Sequence, residues 1–210
     1  MAQNIVTTPQ TTIRHLDELI LVVKRDILLP DGGWQGLKSV DFEQYAAIIQ
    51  NNKEFLPREH METNPAYKQI IPYLIFQHEG RYFLMQRQSK ASETRLQNKY
   101  TLGIGGHIRQ EDMGSETSIA DWAKREFHEE VDYAGSLKVT PLGMLNDDSN
   151  EVGKVHIGFV LLLQGDCDQI SIKSELKSGT LVSLDECKTF SDCMETWSQT
   201  VIDFLAQNKA

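Results

Sequence analysis

The segment KREFHEEVDY, Lys124–Tyr133, sets Glu126, Glu129 and Glu130 within five residues, with Arg125 before them and Asp132 after. It closes the strongest helical stretch of the chain, SETSIADWAKREFHEEV, residues 115–131. With Ile119 as zero, Glu126 falls at ~340°, Glu130 at ~20° and Glu129 at ~280° around the helix axis. Ala123, Ala120, Phe127 and Val131 fall at roughly 40–120°. The three acids therefore border the apolar face instead of opposing it. A Glu–Glu pair at i,i+4 weakens a helix by a few tenths of a kcal/mol. Partial burial adds to that cost, because desolvation disfavours the charged form. A divalent cation reverses the argument, since hard ions such as Mg²⁺ and Mn²⁺ take carboxylate oxygens. A charged helix edge paired with nearby Lys and Arg is the other reading, and the helix alone leaves both open.

Upstream of the helix stands GIGGHI, Gly103–Ile108, after a strand-like run. A glycine pair lets backbone groups approach an ion or a phosphate closely. Before it, IIPYLIFQ and YFLMQRQ flank HEGR and read as a β-hairpin. Downstream, KVTPLGML and KVHIGFVLLLQ read as strands on either side of the acidic turn NDDSNEVG. GTLVSLDEC is a strand with a helix start, and DCMETWSQTVIDFLAQ is an amphipathic helix with Met194, Trp197, Val201 and Leu205 at helical spacing. Strands and helices alternate, but the hairpins exclude a purely parallel sheet. The expected architecture is α/β, a mixed sheet with helices on both faces.

The first third reads differently. Residues 1–15 form a tail, and residues 18–29 read as one strand. PDGGWQG is turn chemistry. DFEQYAAIIQNN is a short helix with Asp41 and Gln44 at capping-box spacing. Residues 56–69 read as an irregular connector. The expected division is a small α+β extension over 1–68 and a main domain over 69–210.

The net charge of −9 and pI of about 5.1 exclude general nucleic-acid binding and attraction to an anionic membrane, both of which need a basic surface. The three cysteines form no CxxC, which argues against a disulfide framework or a zinc finger and fits a reducing cytoplasmic compartment. The polar N-terminus lacks a signal-peptide core, and runs such as FVLLL are too short to span a bilayer.

Gly105-Gly106 followed by REFHEE at Arg125–Glu130 resembles the box of the Nudix hydrolase family, G-x5-E-x7-R-E-U-x-E-E-x-G-U. The resemblance covers about Ile70 to Leu205, and the extension resembles that of a bacterial subgroup. It implies an α/β/α sandwich with a mixed sheet. Three departures stand out. Asp112 occupies the place of the leading glutamate, and twelve residues instead of seven separate it from Arg125, with Glu116 as its rival. Asp132 replaces the closing glycine, as a left-handed helix end or within a helix that runs on towards Gly135.

The resemblance implies hydrolysis of a diphosphate linkage in a nucleoside-diphosphate-type small molecule, with Mg²⁺ or Mn²⁺ as cofactor. Glu126, Glu129 and Glu130 would bind the ions with the Gly105 carbonyl, and Arg125 would hold a glutamate in place. The general base would be a box glutamate, Glu129 or Glu126, or an acid of the 147–151 turn, where Glu151 is preferred to Asp147 and Asp148. His107, Arg87, Arg95 and Lys99 are the candidate phosphate contacts. His156 reads as a packed, hydrogen-bonded histidine. The extension would cover the cleft or form a homodimer contact. A non-catalytic nucleotide sensor of the same fold is the alternative, although sensors typically lose a box acid. An isopentenyl-diphosphate isomerase is disfavoured, because it uses a cysteine upstream of the box and Cys167 comes after it.

Overall fold

The structure, a computed structural model, describes residues 18–87, 99–112, 119–173 and 176–208. β1 (Leu19–Lys24) gives way to a single turn, α1 (Arg25–Leu28), where one continuous strand was expected. The chain turns there because Leu28 and Leu29 enter the core while Arg25 reaches Asp148. β2 (Gly36–Lys38) precedes α2 (Phe42–Asn52), whose Asp41 cap accepts from Gln44 N at 3.0 Å as its spacing predicts. The expected connector is ordered into β3 (Glu54–Pro57) and α3 (Arg58–Met61). β4 (Tyr67–His78) and β5 (Arg81–Arg87) form the predicted hairpin. Its two central residues, Glu79 and Gly80, both have positive φ, at 46° and 75°, the backbone that matches strand twist in a two-residue turn.

Short strands β6 (Tyr100–Thr101) and β7 (Gly103–Gly105) lead through a 3₁₀ turn at Gln110–Asp112 to α4 (Ile119–Glu130). β8 (Val131–Tyr133), β9 (Leu137–Asn146), α5 (Glu151–Val155) and β10 (His156–Gly165) follow. The described chain ends with β11 (Ile170–Ile172), β12 (Leu176–Ser183), α6 (Leu184–Lys188) and α7 (Thr196–Gln207).

Strand order in the main sheet is β12-β5-β4-β10-β9-β2, with β1 and β7 also on β4, β3 on β1 and β6 on β5. β4 and β10 pair in parallel and the others antiparallel, so the sheet is mixed as expected. β4 is buried on both faces, and its side chains alternate between two cores. Ile70, Leu74 and Phe76 join Trp122 and Phe127 of α4, and Phe42 of α2 packs on Phe159 at 4.9 Å. Tyr73 and Ile75 join Val201 and Ile202 of α7. This is the α/β/α sandwich. β1 and β2 lie in the same sheet, and position 68 falls inside β4. Among the described residues no helix is long and apolar enough to cross a membrane.

One polar cluster fixes the acidic turn to this frame. The Lys68 side chain is fully buried, and its ammonium donates to Asp148 Oδ1 at 2.9 Å, Gly153 O at 2.8 Å and His156 O at 3.1 Å. Three donors meet three acceptors. Arg25 pairs with the other Asp148 oxygen at 2.5 Å, and Asn146 Nδ2 donates to it at 2.9 Å. Burial works to raise the Asp148 carboxyl, but the hydrogen bonds from Arg25, Asn146 and Lys68 outweigh it and hold it well below the usual carboxylate range. Asp147 is buried too and accepts from Gln35, Ser149 and Asn150.

Lys68→Met strands two buried carbonyls and leaves Asp148 to Arg25 and Asn146, and should cost about 2–3 kcal/mol in urea unfolding at pH 7. Because the folded Asp148 value lies below the unfolded one, its stabilisation is present above the unfolded value of about 4 and is lost as pH falls through the acid range. Asp148→Asn should therefore flatten the decline in stability between about pH 5 and pH 2, measured by urea melts across that range.

Candidate active site

Gly106 and α4 are built to touch. A Cβ on Gly106 would lie 2.4 Å from Glu126 Oε1, so any other residue would displace that carboxylate. β7 holds the loop to β4 through the Tyr73–Gly105 pair, and Gly105 is exposed beside it. Glu126 is partly buried, Glu130 likewise, and Glu129 is exposed. Burial, then the negative charges of Glu129 and Glu130, push the Glu126 carboxyl up to about 7. The apolar face of α4 is broader than its wheel suggests. Trp122, on the arc between Glu126 and Glu129, is fully buried.

Arg125 ties the helix to the preceding loop. Its Nη1 donates to Glu129 Oε1 at 2.6 Å, and its Nη2 pairs with Asp112 Oδ1 at 3.1 Å. The guanidinium also lies over the Trp122 ring, 5.9 Å from the centroid. Asp112 Oδ2 accepts from Arg109 N at 3.1 Å and from the Trp122 indole at 3.4 Å. The acid at 112 thus engages the box arginine despite the longer spacing. Its rival Glu116 lies outside the described residues. α4 ends at Glu130 and Asp132 sits in strand β8, opposite Ser171, so neither the left-handed helix end nor the longer helix is formed.

The other predicted residues divide. Glu151 is exposed on α5 and paired with Lys154 at 2.5 Å, while Asp147 and Asp148 are turned inward by the cluster described above. Glu151 is therefore the acid of that turn that faces solvent. His156 is packed as expected, 8% exposed with Nδ1 at 2.7 Å from Val152 O. His107 does not join the glutamates. Its neighbours Gly106 and Ile108 face α4 and its core, and its ring turns to the opposite face of the sheet, against Gln69 and His156. Arg87 is held by Glu195 at 2.5 Å, an almost fully buried carboxylate at the N-cap of α7. The Lys99 carbonyl accepts from Arg87 N at 3.0 Å. Arg95 lies outside the described residues. Trp122 and the Glu195 partner carry no mark in the sequence, because an indole and a glutamate read equally well as core and surface.

No protein-family model matches the chain. The crystal structure of Tm1382, described as a candidate Nudix hydrolase, is 30% identical, with a TM-score of 0.74 over 90% of this chain and 99% of that one. The chain belongs to the Nudix hydrolase family. Its class, expected from the box, is a Nudix-type pyrophosphohydrolase. Protein YmaB of Bacillus subtilis (strain 168) is 35% identical over 204 residues, 90% of this chain and 98% of YmaB. More distant Nudix structures share the fold alone. The MutT protein of Methanosarcina mazei Go1 is 17% identical, with a TM-score of 0.51 over 68% of this chain and 96% of that one. The Nudix domain of Shewanella oneidensis NrtR, solved with ADP ribose, is 11% identical, with a TM-score of 0.54 over 68% and 89%.

The folded Glu126 value lies above the unfolded one, so its contribution turns against folding as pH rises from about 4 and is fully adverse above about 7. With a chelator present at pH 8, Glu126→Gln should raise the melting temperature by about 2–4 °C for each kcal/mol relieved, and the gain should vanish at pH 4. Calorimetry at the two pH values checks this.

Proposed function

We propose that this Nudix protein hydrolyses a diphosphate linkage in a nucleoside-diphosphate-type small molecule with Mg²⁺ or Mn²⁺ as cofactor. The observation that carries the reading is the Glu126 carboxylate, seated where a Gly106 side chain would be and made costly by two further glutamates. That donor set, three carboxylates and the Gly105 carbonyl, is all oxygen and suits a hard divalent ion. When bound, such ions neutralise the diphosphate oxygens and supply a water of lowered pKa. Glu126, Glu129 and Glu130 hold that charge at one edge of α4. Arg125, braced by Asp112 and Trp122, positions Glu129. Glu129 or Glu126 accepts the proton of the attacking water, and Glu151 is the alternative base, being the solvent-facing acid of the 147–151 turn.

Residues 1–68 are an extension to the common domain. The free cysteines Cys167, Cys187 and Cys193 fit a reducing, cytoplasmic compartment. Among candidate phosphate contacts, Lys99 is retained, whereas Arg87 and His107 have internal partners.

The test is a panel of ADP-ribose, dinucleoside polyphosphates, nucleoside triphosphates and CoA, assayed for phosphate or nucleotide release with Mg²⁺ or Mn²⁺. At least one compound should turn over, and Glu129→Gln/Glu130→Gln should lower kcat about a hundredfold or more while the protein stays folded. Tight binding of one compound with no release across the panel would favour the nucleotide-sensor reading.

A further inference from the structure

His107, His156 and Glu62 come together on the sheet face opposite α4. They arrive from three segments: the box loop, the start of β10 and the turn after α3. One ligand atom from each lies within 4.8 Å of the other two. The two imidazole Nε2 atoms are 3.3 Å apart. Two nitrogens bound to one zinc-class ion at 2.0–2.1 Å in a tetrahedron are separated by about 3.3–3.4 Å, so the rings already stand at a coordination edge.

The tautomer is arranged as well. His156 Nδ1 is 2.7 Å from Val152 O, and a carbonyl only accepts, so Nδ1 carries the proton and Nε2 presents its lone pair to His107. Metal-binding histidines characteristically donate their other nitrogen in this way. Gln69 Nε2 donates to Met61 O at 3.1 Å, which turns its Oε1 to His107 Nε2 at 2.7 Å. In that state His107 carries its proton on Nε2. Moving it to Nδ1 frees the lone pair with no net change in protonation of a neutral ring. Arg58 Nε donates to Glu62 Oε1 at 3.1 Å and orients that carboxylate.

We propose that Glu62, His107 and His156 form a second metal centre, for a borderline transition-metal ion of the Zn²⁺ or Co²⁺ class. Two imidazoles and one carboxylate favour such an ion over Mg²⁺, whereas the glutamates of α4 offer oxygen alone. Gln69 Oε1, 2.7 Å from His107 Nε2, offers an oxygen for a fourth position. The centre clips the N-terminal segment, through Glu62, to the loop that carries Gly105 and Gly106. It does not rest on the diphosphatase reading.

The full chain, stripped with a chelator and supplied with excess Mg²⁺, is titrated with Co²⁺ and followed by visible absorption. The expected result is one equivalent of Co²⁺ giving the intense d–d bands of four-coordinate geometry, bleached by Zn²⁺. Glu62→Gln and His107→Gln should each weaken Co²⁺ binding about tenfold or more, and Glu129→Gln/Glu130→Gln should leave it intact. Circular dichroism on each variant separates loss of the site from loss of the fold, and Glu62, at the surface, is the substitution that least endangers folding. Absence of a stoichiometric band overturns the proposal, as does a band that survives the two substitutions together or disappears with the α4 glutamates. The first of these outcomes leaves a hydrogen-bonded histidine pair only. Mg²⁺-dependent release of phosphate is read separately, so each reading can fail alone.

Discussion

A carboxylate pressed against a glycine backbone organises the α4 edge of this molecule. Glu126 occupies the space in which Gly106 would carry a Cβ, so a side chain at position 106 would displace that carboxylate. Water is partly excluded from that contact, and Glu129 and Glu130 add their charge one turn on, so the acid is held near neutrality, at about 7. The fold maintains this against its own electrostatic preference. β7 clamps the loop to the central strand, and Trp122 and Phe127 sink the helix into the core. Arg125 spans Asp112 and Glu129 from the outside, joining loop to helix with a single guanidinium. Such a carboxylate cluster, costly to charge, is one that a bound cation would relieve.

The rest of the site is supported from the sheet. Position 68 is a lysine fully enclosed in protein, where an apolar residue would be ordinary. Its three hydrogen bonds turn Asp148 and the carbonyls of 153 and 156 inward, which leaves Glu151 facing solvent and presents the His156 ring to His107. Neighbouring residues of one loop thus serve different faces: Gly106 receives Glu126, while His107 meets Gln69, His156 and Glu62. The α4 edge gathers carboxylates, and the opposite face gathers two imidazoles beside Glu62 and Gln69.

Much of this was legible from local pattern. Hairpin HEGR, the Asp41 cap, the mixed sheet and the glutamates beside an apolar face all depend on spacing within a few residues, where backbone sterics and periodicity act directly. Contacts between distant segments were not. Arg25 meets Asp148, Arg87 meets Glu195 and His107 meets His156 only because the sheet order brings β1, β4, β10 and α7 together. Arg87 therefore read as a surface cation with phosphate in reach, and residues 18–29 as one strand, since nothing local marks the distant partner, Asp148, that Arg25 reaches just after Lys24. The 56–69 connector read as irregular because β3 and α3 are too short to show a period. Counting leaves Asp112 and Glu116 both open as the leading acid, and no spacing rule marks the contact of Asp112 with Arg125.

The central claim is that a divalent ion sits among Glu126, Glu129 and Glu130, and paramagnetic broadening by Mn²⁺ tests it most directly. In an amide NMR spectrum of the full chain, substoichiometric Mn²⁺ should first extinguish Gly105, Gly106 and Glu126–Glu130, and excess Mg²⁺ should restore them. Broadening that begins elsewhere, or that persists at these residues in Glu126→Gln/Glu129→Gln/Glu130→Gln, would contradict the account.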